Sequence, residues 1–374
     1  MRAHHRFPQR ILSIILLLSA LLLPGCRDTA PIPVGFVGGL SGRVADLGIG
    51  GRDGATLAIE EINAEGGIRR RRLELLVADD KQDVETAREA FGKLFDEKVV
   101  AVIGPMTSAM AMQLVPLADE ARLPLVSPTV SANELSGKDD YFFRIYPASR
   151  KTARALAAYA REKRGMGRVA VIYDLSNRAH VEGWMENFAT AFEEKGGKVA
   201  ARLPFFSGKL ESFSELTDGL PGEELDAVLI LAGAIDTAMI CQQLRKQGNE
   251  LAVFTSEWSA TRDLLSLGGR SVEGLTLFHT FDRSSRQNGF VSFKRRFFER
   301  FGYEPGFAAT HGYDAVKLVA SALEDGDGTL SKELLRSREV MGAQSRIRLD
   351  EFGDAGRDFF LLRVQDGRFI SLED

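Results

Sequence analysis

Cysteine is nearly absent, with only Cys26 and Cys241 in a chain of 374 residues. Cys26 lies in an N-terminal segment that reads as an export signal, so Cys241 has no partner for an intrachain disulfide even in an oxidising compartment. At helical spacing Cys241 shares a face with Thr237, Ile240 and Leu244, which makes it a packing residue. Histidine is scarce too. The five residues, at positions 4, 5, 180, 279 and 311, form no metal-ligand spacing, and neither HExxH nor CxxC occurs. No GxSxG and no nucleophile–base pair is recognisable. The net charge of −4 gives no electrostatic footprint for nucleic acid. The basic run Arg69–Arg72 is isolated between a helix stop and a strand, and reads as a solvated turn. No cofactor is expected from any motif.

Long apolar runs are missing except at the start. Arg2, Arg6 and Arg10 precede the aliphatic run Ile11–Leu23, which is short for a membrane span and reads as a signal sequence. "LLLPGC" follows and resembles the lipobox of bacterial lipoproteins, although Pro24 is unusual within it. That likeness implies removal of Met1–Gly25 and lipidation of Cys26; a plain secretory signal with an incidental cysteine is the alternative. Either way the mature protein is exported.

What is abundant is alternation. The chain is 44% hydrophobic and 27% charged, a globular balance, and its length favours two lobes. From Val34, strand and helix patterns alternate, which predicts α/β architecture with parallel sheets. "VGFVGGL" predicts a strand running into a Gly-rich loop, and Asp53–Ala64 a helix with Ala55, Ala58, Ile59 and Ile62 inward. Further helices are expected at Val84–Phe95, at Ser108–Ala121 with a bend at Pro116, at Thr152–Lys163 and at Ala308–Leu323. Another carries Val181, Trp184, Met185, Phe188 and Phe192. The C-terminal stretch alternates in β-hairpin fashion, with turns at Phe352–Gly356 and Asp366–Gly367. No low-complexity linker separates the halves.

Two successive strands end in hydroxyl clusters, "GPMTS" (Gly104–Ser108) and "SPTVS" (Ser127–Ser131). Ligands of open α/β sheets bind outside the carboxyl ends of the strands. Ser108 precedes an apolar-periodic run and can cap its helix, and free helix amides plus hydroxyls make an anion site. With no Lys or Arg in either loop, that site suits one small carboxylate. The bland alternative is that Ser108 only caps its helix and Ser131 only starts a turn. A dinucleotide site in the first loop, with Asp79 or Asp80 on a ribose, is disfavoured because Asp53 stands where GxGxxG needs its third glycine.

The chain resembles the periplasmic substrate-binding proteins of branched-chain amino acid ABC transporters, the type I, leucine/isoleucine/valine-binding group. The likeness rests on "GFVGGLSGRVADLG", "GATLAIEEINAEGGI", "LELLVADD", "VIGPMTSAMA", "LPLVSPTVS", "VAVIYDLSN…VEGW", "VFTSEW" and "HGYDAVKLVASAL", in the family's order. It implies two doubly wound parallel-sheet lobes joined by three crossings. The expected division is 1–25 signal peptide, 26–33 lipidated tether, 34–148 with 278–340 as the N-terminal lobe, and 149–277 with 341–374 as the C-terminal lobe.

The resemblance also implies a binding site. Ser108 falls where a hydroxyl and amide meet the ligand carboxylate, with Met106 and Thr107 in the same loop. Thr129 falls where backbone groups meet carboxylate and ammonium, and Ser131 where a hydroxyl serves the head group. Glu257, ending the strand before Trp258, falls on the family's acidic ligand residue. Three family tyrosines are replaced, by Leu47, His180 and Ala234, which leaves Trp258 and Tyr146 as candidate aromatic surface. His180 is alternatively a surface loop residue. The expected activity is capture of an amino acid by lobe closure, without bond breaking, and delivery to an ABC transporter permease at the periplasmic face of a bacterial membrane. The protein is expected to be a lipid-anchored monomer that binds no metal. Alternatives are a ligand-sensing subunit for a membrane receptor or kinase, a binder of an amide or aromatic compound, and an exported enzyme.

Overall fold

The computed structural model describes residues 30–221, 224–326, 328–336 and 339–372; the signal segment and Cys26 lie outside them. The first lobe opens with β1 (Ile32–Gly38), α1 (Ala45–Ala64), β2 (Leu73–Asp79), α2 (Val84–Asp96), β3 (Val102–Ile103), α3 (Ser108–Ala121), β4 (Leu125–Ser127) and β5 (Phe142–Arg144). All five strands pair in parallel, in the order β2-β1-β3-β4-β5. Val34, Phe36 and Val37 in β1 are wholly buried, which is what a strand covered on both faces requires.

The second lobe contains α4 (Arg150–Ala158), continued by a wider turn at Tyr159–Lys163, then β6 (Arg168–Asp174), α5 (Arg178–Glu194), β7 (Lys198–Phe205) and α6 (Ser214–Asp218). It continues through β8 (Ala227–Leu231), α7 (Ala234–Lys246), β9 (Ala252–Thr255), α8 (Arg262–Gly268) and β10 (Thr276–His279). The chain then returns to the first lobe with α9 (Asn288–Phe301), α10 (Phe307–Asp325) and α11 (Leu330–Arg336). A small sheet of β11 (Glu339–Met341), β12 (Arg346–Leu349) and β13 (Ala355–Gly356) follows. The hairpin β14 (Phe360–Gln365) and β15 (Arg368–Ser371) completes the second sheet by pairing antiparallel with β10. Its turn, Asp366–Gly367, has positive φ at both residues (52° and 68°), as a tight hairpin requires.

The polypeptide passes between the sheets in the stretches 145–149, 280–287 and 357–359. Arg357 ties two of these together: its Nε donates to Ile145 O at 3.0 Å while Nη2 pairs with buried Asp314 at 2.8 Å. The small sheet belongs with the first lobe, against the expected division at residue 341. Arg144 N donates to Gly353 O, the Arg144 side chain pairs with Asp354 at 2.6 Å, and Asp314 accepts from Ala343 N at 2.7 Å. Alternation alone identified these strands but did not say which body they cover.

Other local differences have physical causes. β1 begins at Ile32, inside the expected tether, because Ile32–Gly38 pairs in full with Leu73–Asp79. The expected Gly-rich loop is largely helix. α1 starts at Ala45 and takes in Gly48, Gly50, Gly51 and Gly54. These glycines allow close approach: a Cβ at Gly54 would run into Ala309 O of α10, and one at Gly48 into Gly39 O. α2, α3 with its internal Pro116, and α5 with its buried Val181, Trp184, Met185, Phe188 and Phe192 form as expected. Cys241 is fully buried, and burial pushes its thiol up to about 12. Arg69 and Arg70 form an exposed turn with positive φ.

The tight α1–α10 seam yields a contrast. Gly54→Ala should destabilise the fold by about 1–3 kcal/mol through overpacking. Gly92→Ala, in α2 where an added Cβ meets nothing within 4 Å, should stabilise it by up to ~1 kcal/mol. Denaturant unfolding of both variants measures the difference; equal effects would show that the seam is not sterically tight.

Candidate functional site

In the first sheet the order reverses direction at β1 and β3, and in the second at β6 and β8. Such switch points open a crevice at the carboxyl ends of the strands. The loops after β1, β3 and β4 face those after β6 and β9 across the gap between the lobes, and residues of both line one crevice.

On the first-lobe side, the two hydroxyl clusters lock their loops together. Ser127 Oγ donates to Pro105 O at 2.8 Å, Thr129 Oγ1 donates to Met106 O at 2.5 Å, and Ser131 N approaches Ser108 Oγ at 3.4 Å. Ser108 is the first residue of α3 rather than its cap. Thr107 takes the cap position with extended backbone, and its hydroxyl turns away to donate to Gln82 Oε1 at 2.8 Å. The cap comes from the opposite lobe: Asn177 Oδ1 accepts from Ala109 N at 2.9 Å.

On the second-lobe side, Glu257 is buried, with 2% of its surface exposed. One carboxylate oxygen accepts from Ser131 Oγ across the crevice at 2.9 Å, and the other from Trp184 Nε1 at 3.2 Å. His180 is also buried, not a surface loop residue. Its Nδ1 lies 3.0 Å from Ser131 Oγ and its Nε2 3.1 Å from Ser256 Oγ. Because the Ser131 hydroxyl proton goes to Glu257, His180 Nδ1 must carry the hydrogen in that pair, and Nε2 accepts from Ser256. Burial pulls the His180 pKa below its ordinary value, against the opposing pull of Glu257 and then Glu134.

Leu47, Met106, Phe307 and Trp258 supply the apolar walls. The crevice they leave is about 10 Å³, room for about one water. At the rim the lobes are clasped by Arg43 on Asp236, by Arg43 Nε on Ser207 Oγ at 3.1 Å, and by the Thr261 hydroxyl on Asp46. Ser108, Thr129, Ser131, Glu257, Thr107, Met106, His180 and Leu47 all line this crevice. Ala234 does not; it begins α7 and packs in the second lobe's own core. Tyr146 is not a lining residue either, but stacks edge-on with His279, His311 and Phe307 behind it. Sequence reading missed Phe307 and Asn177. Phe307 begins α10, one residue before the expected start, and Asn177 follows a strand in an otherwise ordinary turn. Among the described residues no group of three or more His, Cys, Asp or Glu could hold a metal ion.

Two lobes of parallel sheet with a polar, buried crevice between them define a two-jawed binding protein. The chain belongs to the periplasmic binding protein family, whose profile matches residues 31–368. A relative in Brucella melitensis, Leu/Ile/Val-binding protein homolog 3, is 23% identical over 351 residues, covering 92% of this chain and 94% of the relative. The leucine-binding protein LivK of Thermotoga maritima superposes with a TM-score of 0.84 at 25% identity, over 91% of this chain and 98% of that one. An ABC transporter substrate-binding protein of Desulfitobacterium hafniense, solved in complex with Leu, gives 0.74 at 25% identity, over 91% and 100%.

Behind the first-lobe loops sits a carboxyl group under strain. Asp80 is fully buried; Oδ1 accepts from Gln82 N and Nε2, both at 2.9 Å, while Oδ2 has no hydrogen-bond partner among the described residues. Burial, aided by neighbouring Asp79 and opposed by Gln82, pushes its pKa up to about 6. A carboxyl raised in the folded state takes away stability as pH climbs from about 4 through 6, because the unfolded chain ionises first. Asp80→Asn should therefore raise Tm at pH 7.5, by roughly 3 kcal/mol of stability at most, and change little at pH 4. A benefit of equal size at both pH values in thermal melts would refute the buried charge as its source.

Proposed function

We propose that this chain captures a free amino acid between its lobes and presents the closed form to the permease of an ABC transporter. The observation that carries the reading is the juxtaposition of a buried carboxylate on one jaw with uncharged hydroxyls and a helix start on the other. The ligand ammonium would take over the Glu257 oxygen that now accepts from Ser131. The ligand carboxylate would meet the Ser108 hydroxyl and the first free amide of α3, with the Thr129 amide beside it. Charge then balances within the crevice: one fixed anion for the ammonium, and neutral donors plus the positive helix end for the carboxylate.

The names of the relatives, for leucine, isoleucine and valine, support a branched-chain or related amino acid. Leu47, Met106, Phe307 and Trp258 would surround its side chain. With space for about one water, entry requires the jaws to part. A ligand that touches both lobes only when they meet biases that equilibrium toward closure, and no chemical step is needed. On this reading Met1–Gly25 is removed and a lipid on Cys26 holds the protein at the periplasmic face of the membrane, with further attachment needed for stable anchoring.

Glu257→Gln keeps the shape and removes the charge. It should weaken binding of the best amino acid by at least tenfold in calorimetry, as expected for truncating a buried charge pair. An unchanged Kd would exclude Glu257 from the head-group site. Burial between the shut jaws lowers the His180 pKa, and opening would return the ring to water, so protons favour the open form. Affinity should fall as pH drops from 7.5 to 5.5, by up to about tenfold, and His180→Gln should flatten the profile. A steep profile retained in that variant would assign the titration elsewhere.

A further inference from the structure

The crevice is not the whole of the open room on this side of the gap. A cavity of about 230 Å³ adjoins it, with Phe307 lining both. The other residues follow suit. Leu47 lines the crevice and Asp46 the cavity; Trp258 lines the crevice and Thr261 the cavity. The cavity is therefore the natural path for whatever extends from a head group held at Glu257.

Its chemistry is not aliphatic. Arg283, in the second crossing, lines the cavity and has no hydrogen-bond or ion-pair partner among the described residues; its one contact of note is a cation–π approach to Phe369 at 5.9 Å. Burial holds its guanidinium below the ordinary value, Glu304 counteracts this, and nearby Arg262 adds to it. Arg262 also lines the cavity, stacked over Tyr303 at 5.2 Å. The carboxylates present are engaged. Asp46 accepts from Leu47 N and the Thr261 hydroxyl, Glu304 pairs with Lys294 at 3.1 Å, and Asp263 lies 4.0 Å from Arg262. The first turn of α10, a 19-residue helix, reaches the cavity through Gly306, Phe307, Ala308 and Ala309, with no side-chain cap and no acidic residue in that turn. Two guanidiniums near one another, one of them bonded to no carboxylate although Asp46, Asp263 and Glu304 also line the cavity, beside an uncapped helix start can receive an anion. A purely aliphatic side chain would leave Arg283 half-dehydrated and unpaired.

We propose that this cavity is the distal subsite of the ligand cleft and receives an acidic side-chain end, so that the favoured ligands are amino acids carrying a second carboxylate, held there by Arg283 with Arg262. This rests on the amino acid reading of the cleft and narrows its ligand.

The test is calorimetric titration of the mature chain, and of Arg283→Gln, with L-leucine, L-glutamate, L-2-aminoadipate and sodium sulfate, each variant checked for native melting without ligand. The expected result is that one of the two acidic amino acids binds the parent at least tenfold tighter than leucine. Arg283→Gln should remove that advantage and change leucine affinity less than twofold. Leucine binding with no acidic amino acid bound would overturn the inference and leave the amino acid reading standing, as would equal loss of all ligands in Arg283→Gln. Sulfate binding that depends on Arg283 without competing with any amino acid would also overturn it, since the cavity would then hold an independent anion. If none of the three amino acids binds the parent, the inference falls together with the reading it rests on.

Discussion

A carboxylate buried between two bodies has to be satisfied by both of them. Glu257 takes an indole N–H from Trp184 in its own lobe and a hydroxyl from Ser131 in the other. Leaving such a group dehydrated and unpaired costs several kcal/mol, so the surroundings of Glu257 are constrained more tightly than an apolar contact would be. Trp184 is fixed by stacking on Phe188, which stacks in turn on Phe192, along the buried face of α5. His180, one turn earlier on the same helix, reaches the same serine. The helix that packs the second lobe thus also presents its polar end to the gap.

The first lobe answers with rigidity of a different kind. The loops after β3 and β4 are bonded to one another by Ser127, Thr129 and Ser131, and the glycine-studded α1 lies hard against α10. Leu47 and Phe307, which form the apolar wall, stand on those two helices. Leu47, Phe307 and the hydroxyl cluster are therefore held in one body, which is joined to the other by the stretches 145–149, 280–287 and 357–359.

Much of this was legible in the chain. The strand–helix alternation and the two hydroxyl-rich strand ends were read from residue pattern, and the placement of Glu257 opposite them came from the family likeness. What escaped depends on packing partners that local pattern does not carry. Glycine reads as a helix breaker, so the first half of α1 passed for loop until its contact with α10 was visible. The strands of 339–356 were recognisable, yet nothing in their alternation named Arg144 and Asp314 as their anchors. Phe307 stood among many phenylalanines with core spacing, and Asn177 became a cap only through a lobe that is distant in sequence. Ala234 marked the converse: a position aligned to a binding tyrosine begins α7 and packs in the core of its own lobe.

The carboxamide of Asn177 covers the first turn of α3 only while the lobes touch. Separation uncovers Ala109 N and leaves the positive end of that helix facing solvent. On the proposed capture reading, the field toward a negative group would be strongest with the lobes apart, when a solute can still arrive, and would be partly muffled by an amide dipole once the entrance has shut. Attraction and retention would in this way fall to different moments of the proposed cycle, with a single side chain as the shutter.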